Sequence, residues 1–401
     1  MSERALTRPT TVDSFRLSLE RMPSGHRVQV LFDGAAAYPA MLAAIAQARE
    51  SIELETYSWA SDANGRRFRD ALCIKAQEGV KVRAVIDGAG SYWFSGEDIS
   101  RLRTAGVQLS IFHPVGPWRR RWGWQVRDHR KLLVVDARVA FTGGLNLGDD
   151  YAPEAWGGRG WHDVHARVEG PVVGELRRLF AMTWRYAEPE TWVPPPGFRG
   201  LERRRRRQPP VEQAAIETTG SRVDALAVGR WLGRRVIQRH LQHAMAAARE
   251  RIWIEAAYFV PNRGLRRAMQ SAAARGVDVR VIVPRHSDVP GLRDASQFTW
   301  TVLLAAGVRI FEWLPSMLHA KTIAIDGRWC SIGSYNLDQR SLLYNWELSL
   351  SILDGEVASV LERRFTEDLE SCTEVNAAAW LGRTAWARLK QRFFYIFRLW
   401  L

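Results

Sequence analysis

Two histidines, two lysines and two aspartates recur in this chain at the same spacing. His129, Lys131 and Asp136 lie in HRKLLVVDARVAFTGGLN, residues 129–146, and His319, Lys321 and Asp326 lie in HAKTIAIDGRWCSIGSYN, residues 319–336. Aligned without gaps, the stretches also share Arg138/Arg328, Gly143/Gly333 and Asn146/Asn336. Unrelated windows of this length would share about one residue, so the pair is an internal repeat. The shared residues are polar and reactive, whereas a purely structural repeat would mostly share core positions. On a strand, residues two apart point to one face, so each copy sets an imidazole beside an ammonium. An imidazole can act as nucleophile or proton donor, and the ammonium favours an anion beside it.

The elements that must hold these groups are legible nearby. KLLVVD (residues 131–136) and KTIAID (321–326) read as short buried strands ending in polar turns, and VAFTGG and WCSIGS as the strands that follow. The Gly-Gly and Gly-Ser pairs after those second strands are expected to let backbone approach a ligand closely. Strands at 51–59, 80–87 and 107–112 alternate with helices at 38–49, 65–77 and 97–104. In the second half, strands at 251–258, 277–284 and 308–313 alternate with helices at 236–249 and 265–274. This order predicts a largely parallel sheet covered on both faces in each half. Tyr57 and Tyr258 are 201 residues apart, but the two histidines only 190, so the first half carries an insertion just before its motif. It contains PWRRRWGWQVR, residues 117–127, placed to help hold an anionic, amphipathic substrate.

The duplicated H-x-K-x4-D motif resembles that of the phospholipase D superfamily, and the resemblance covers roughly residues 28–368. IELETYSW (52–59), VIDGAGS (85–91), GGLNLGDDY (143–151) and GSYNLDQRSLLYNWE (333–347) look most like bacterial cardiolipin synthases, in particular the type lacking N-terminal membrane spans. The resemblance implies an α/β fold class: two similar α/β domains packed face to face, with one active site at their interface. It also implies phosphatidyl transfer between phospholipids through a phosphohistidine, with phosphatidylglycerol as acceptor, no metal and no other cofactor. His129 would be the nucleophile and His319 the general acid; the residues alone do not order them. Lys131, Lys321, Asn146 and Asn336 would bind the phosphoryl oxygens. Asp163 and Glu347 resemble the acids that fix the histidine tautomers. Asp136 and Asp326 complete the catalytic motif but are expected to stabilise the fold rather than touch phosphate. His162 and His165 lack counterparts in the second half and are left structural. A phospholipid hydrolase is the alternative, and a nuclease of the same superfamily a more distant one.

Boundaries follow from composition: an N-terminal extension (1–25), a first domain (26–191), a Pro/Arg-rich linker (192–213) with five arginines at 203–207, a second domain (214–375) and a basic aromatic tail (376–401). Lys and Arg outnumber Asp and Glu by 14 in 401 residues, and Trp occurs 18 times. That balance argues for an anionic partner. Anionic phospholipids and a peripheral membrane surface are expected, and no nucleic acid, since no such module is appended; a homo-oligomer is left open. Three cysteines without ligand spacing fit a reducing setting. No signal sequence and no run of about 18 apolar residues is seen. The expected location is the cytoplasmic side of a bacterial cell membrane. The tail mixes aromatics with cations and no acid, which suits an interfacial helix, with docking on its own domain as the alternative.

Overall fold

In the computed structural model, which describes residues 15, 18–115, 125–187, 220–229 and 232–399, each motif copy folds as a β-hairpin. In the first half the chain forms β1 (Arg27–Phe32), β2 (Ser51–Thr56), β3 (Lys81–Asp87), β4 (Gln108–Phe112), β5 (Leu132–Val135), β6 (Val139–Gly143) and β7 (Val164–Glu169). The second half adds β8 (Arg222–Val228), β9 (Arg251–Ala256), β10 (Asp278–Pro284), β11 (Arg309–Trp313), β12 (Lys321–Ile325), β13 (Trp329–Gly333), β14 (Glu347–Leu353) and β15 (Cys372–Glu374). The sheets run β1-β7-β6-β5-β2-β3-β4 and β15-β11-β10-β9-β12-β13-β14-β8.

Only part of each sheet is parallel, which corrects the sequence expectation. β2, β3 and β4 are parallel, as are β9, β10 and β11. The motif strands pair antiparallel, β5 with β6 and β12 with β13. Three-residue turns join them, and a connection that short permits only a hairpin. Asp136 and Ala137, and Asp326 and Gly327, take left-handed backbone angles there, which Asp and Gly tolerate.

Each sheet buries both faces. Outer helices Asp33–Gln47, Ala63–Gln77 and Gly96–Thr104 cover the first sheet, and Val236–Ala247, Arg263–Ala274 and Leu292–Leu304 the second. The inner faces share one apolar core with helices Val172–Ala187 and Gly355–Glu370. Leu132, Val134 and Val168 meet Leu348, Leu350 and Ile332 in that core, so the two α/β units are packed face to face. Residues 116–124 of the tryptophan-rich insertion and the linker at 192–213 lie outside the described residues.

The tail departs from a simple surface helix. Helix Ala385–Ile396 docks on Leu292–Leu304: Gln391 hydrogen-bonds Gln297 at 3.2 Å, Tyr395 stacks on Phe298 with centroids 4.3 Å apart, and Lys390 pairs with Asp294 at 3.0 Å. Its opposite face remains open to solvent.

Candidate active site

Each histidine immediately precedes a motif strand, and the other half of the chain fixes its backbone. The His129 N–H donates to the Trp346 carbonyl at 2.9 Å, and the Trp346 N–H to the Arg127 carbonyl at 2.8 Å. In the mirror arrangement, the His319 N–H donates to the His162 carbonyl at 2.7 Å, and the His162 N–H to the Met317 carbonyl at 2.9 Å. Trp346 and His162 are the residues before Glu347 and Asp163, so each bridge brings an acid to the opposite histidine. Glu347 Oε2 lies 3.1 Å from His129 Nδ1, and Asp163 Oδ2 lies 2.7 Å from His319 Nδ1. An acid at Nδ1 holds the proton there and leaves Nε2 as the reactive nitrogen. The two acids proposed from sequence thus cross over: each serves the histidine of the other half.

Both acids are held in turn. Glu347 accepts from Ser334 Oγ, from Ser341 Oγ at 2.7 Å and from Asn345 Nδ2 at 3.2 Å. Asp163 accepts the Val164 N–H at 2.7 Å. The glycines of the motif serve these acids and the neighbouring strand, which corrects their assignment to ligand approach. A methyl group on Gly144 would overlap the Asp163 carboxylate, and one on Gly143 or Gly333 would strike the backbone at Val164–His165 or Leu348–Ser349. In the second copy, where Ser334 replaces the second glycine, the added side chain supplies the hydroxyl that binds Glu347.

Electrostatics prepares the site for an anion. Burial pushes His129 down to about 4, and Lys131 adds to the effect against the pull of Glu347. Burial and the two lysines hold His319 well below its ordinary range. Burial also lowers Lys131 to about 7 and Lys321 to about 8, and each half's lysine acts on both imidazoles. Asp163 is raised to about 6 by burial, opposed by Lys321. Glu347 stays below its ordinary value despite burial, chiefly through His129. Neutral imidazoles beside desolvated ammonium groups suit capture of a phosphodiester anion. As pH falls through about 6, Asp163 gains a proton and no longer holds His319 as a carboxylate. As pH rises through about 7 to 8, the lysines lose their charge. The kcat/KM profile is therefore expected to be a bell with its maximum between these limits. A profile flat from pH 6 to 10 would remove the lysines from anion binding.

The remaining sequence candidates divide. Asp136 sits at the far end of β5 from His129 and accepts the N–H groups of Arg49, Glu50 and Ser51 at 2.8–2.9 Å. Asp326 does the same for Arg249, Glu250 and Arg251 at 2.9 Å. Counted with the catalytic motif but expected to stabilise the fold, these two tie the motif hairpin to the chain entering β2 or β9. Asn146 accepts the Ser58 N–H at 3.1 Å and donates to Tyr151 Oη at 2.7 Å, leaving one amide hydrogen uncommitted by these bonds. Asn336 is buried, and its Oδ1 has no hydrogen-bond partner among the described residues.

These observations meet an independent one. The model of the cardiolipin synthase, phospholipase D-like domain family matches residues 41–184 and 241–369. The chain belongs to this family. It is accordingly a phosphatidyltransferase of the phospholipase D superfamily. The probable cardiolipin synthase YwiE of Bacillus subtilis (strain 168) is 30% identical over 384 residues, covering 96% of this chain and 74% of its own. Cardiolipin synthase A of Pseudomonas putida (strain W619) is 33% identical over 359 residues, covering 89% and 72%. The phosphatidylserine synthase of Haemophilus influenzae Rd KW20 shares the fold, with a TM-score of 0.69 over 97% of both chains at 13% identity.

Within this family framework, four side chains stand out that the motif did not announce. Arg130 lies between His129 and Lys131, just before β5. Its guanidinium donates to Val228 O at 2.6 Å, Thr183 Oγ1 at 3.0 Å and Glu347 O at 3.3 Å, and lies over the Trp346 ring. A fully buried arginine thereby joins the halves directly behind the site. Tyr57 meets the His129 ring edge-on at 4.9 Å between centroids, and Tyr258 the His319 ring at 6.1 Å. Their equivalent places in the repeat were the available signal. His162, left structural in the sequence reading, is buried between Asp33 at 2.8 Å and Asp368 at 3.1 Å, bridging both halves. Its side chain was unreadable because those acids come from residues 33 and 368.

Proposed function

We propose that this protein makes cardiolipin by transferring a phosphatidyl group to the glycerol hydroxyl of phosphatidylglycerol, working on a bilayer at the cytoplasmic side of a bacterial membrane. The observation that carries the reaction is the crossed pair of imidazole–acid couples around two desolvated lysines. His129 Nε2 attacks phosphorus, the donor's P–O bond breaks, and His319 gives its proton to the departing alkoxide. The anionic diester between the lysines opposes the field that keeps His319 neutral and so favours its protonated form. In the second step His319 takes the proton of the acceptor hydroxyl. That oxygen bonds phosphorus as the P–N bond breaks, returning His129. Lys131 and Lys321 neutralise the non-bridging oxygens, and Asn146 and Asn336 offer amide hydrogens to them. No helix among the described residues is long and apolar enough to cross a membrane.

The test is incubation with vesicles of labelled phosphatidylglycerol, followed by lipid analysis. Cardiolipin with release of glycerol is expected. Phosphatidic acid alone would make the enzyme a hydrolase, and no lipid product would discard the assignment. The lysines supply the charge a metal would bring, so activity is expected to persist in excess EDTA. Among the described residues, His162, Glu255 and Asp368 form a cluster with metal-ligand chemistry, their ligand atoms within 4.8 Å of one another. Loss of activity on chelation, restored by one metal, would redirect attention there.

A further inference from the structure

Helix Ala385–Ile396 has two faces that ask for different partners. At about 100° per residue, Ala387, Gln391, Phe394 and Tyr395 lie on one side, and Trp386, Leu389, Phe393, Ile396 and Phe397 on the other. The first side is docked. Gln391 is buried, Phe394 sits over Gly291, and Tyr395 Oη accepts from Arg266 at 3.0 Å. The second side is bare: Trp386 is 72% exposed, Ile396 62% and Phe393 54%. Arg388 and Arg392 border the bare stripe, and the chain from residue 375 onward contains no acidic residue.

A second bare aromatic pair stands on the other half. Tyr92 and Trp93 are 60% and 83% exposed. They directly follow Ser91, whose Oγ donates to the Tyr57 carbonyl at 3.0 Å and accepts the Trp59 N–H at 3.1 Å. The two elements have matched attachments. Tyr57 lies against His129 and anchors the Tyr92–Trp93 turn. Tyr258 lies against His319, hydrogen-bonds Asp288 at 2.8 Å, and packs in one apolar cluster with Leu292, Phe394 and Tyr395. Each exposed aromatic element is therefore fastened, within a few side chains, to the tyrosine that flanks one catalytic imidazole.

We infer that the outer stripe of helix Ala385–Ile396 and the Tyr92–Trp93 turn form a two-point docking surface for an anionic phospholipid bilayer. The inference rests on the phospholipid reading above and adds to it a partner surface and an orientation. Trp, Phe and Leu would enter the headgroup boundary, and the bordering arginines would select anionic lipid. One point on each half would hold the seam between the halves, where both histidines lie, over the lipid surface.

The experiment uses the full chain and two variants, Trp386→Ser/Leu389→Ser/Phe393→Ser and Tyr92→Ser/Trp93→Ser. Each is sedimented with vesicles of phosphatidylglycerol and phosphatidylcholine, and with phosphatidylcholine alone. Wild type is expected to bind the first and not the second. The helix variant is expected to lose at least about tenfold in partition and the turn variant several-fold. Melting temperature and turnover of a short-chain soluble phosphatidylglycerol should stay near wild type. Unchanged vesicle binding by the folded variants would overturn the inference. So would a wild-type dimer that the helix variant converts to monomer without loss of binding, because a second copy would then cover the stripe. Normal vesicle binding with no phosphatidyl transfer to soluble lipid would sink the reaction while leaving the docking surface standing.

Discussion

Turnover by His129→Ala and by His319→Ala is expected to fall by a factor on the order of 10³ to 10⁵ in each case, and no further in the double variant. In the proposed mechanism the two imidazoles act in one cycle, so removing either would stop the same reaction, and their losses would not add. Folding should survive. Each imidazole contributes one hydrogen bond to an acid, and Glu347 retains Ser334, Ser341 and Asn345 when His129 is gone. Far-UV circular dichroism and the melting temperature check that point. The variants should differ in what they accumulate. His319→Ala keeps the nucleophile and loses the acid, so a donor with a good leaving group should leave a phosphatidyl adduct, seen as an added mass on the intact chain and mapped to His129. His129→Ala should accumulate none. An adduct on another residue would reverse or discard the order of the steps, and normal turnover in either variant would dissolve the shared site.

The second large effect is expected from a single methyl group. Gly144→Ala should lower kcat by at least about a hundredfold, although residue 144 supplies no reactive side chain. The added Cβ would overlap the Asp163 carboxylate, which must move, and His319 then loses the partner that fixes its Nδ1 proton. KM should change less than kcat, and the acid limb of the pH profile should shift or vanish with the displaced Asp163. Gly174→Ala is the control. It lies inside helix Val172–Ala187 with open space where its Cβ would stand, and should keep full activity and gain a little stability. A folded Gly144→Ala enzyme with wild-type kcat would show that the Asp163–His319 contact does not limit the reaction.

The chemistry of the site was largely written in local patterns, and its assembly was not. His129, Lys131, His319 and Lys321 announce themselves because two copies can be compared within one chain, and strand alternation places each pair on one face. The two strands of each motif were legible for the same reason, but not their antiparallel pairing into a hairpin. What period and propensity could not give is which acid meets which histidine: Asp163 and Glu347 each follow their own motif, and only the packing of the sheets sends them across. The role of Gly144 was misread because a glycine beside reactive residues suggests ligand approach, whereas the nearby atom here is the carboxylate of Asp163, just before β7. A stabilising role for Asp136 and Asp326 could be expected from sequence, but not their three backbone donors each, which come from residues about 85 and 75 positions earlier. The tail pattern marked a helix, Ala385–Ile396, but could not decide between an interfacial helix and docking on its own domain. Contact with Phe298, Gln297 and Gly291 separates the docked side from the bare one.

The crossed acids also constrain how such a repeat can change. After a duplication, one copy is ordinarily free to decay while the other keeps the function. Here neither copy has that freedom. Loss of Asp163 from the first half would take away the acid that meets the histidine of the second, and loss of Glu347 from the second the acid that meets the histidine of the first. Each half is hostage to the other, so two such units, once fused, must descend together as one heritable catalyst.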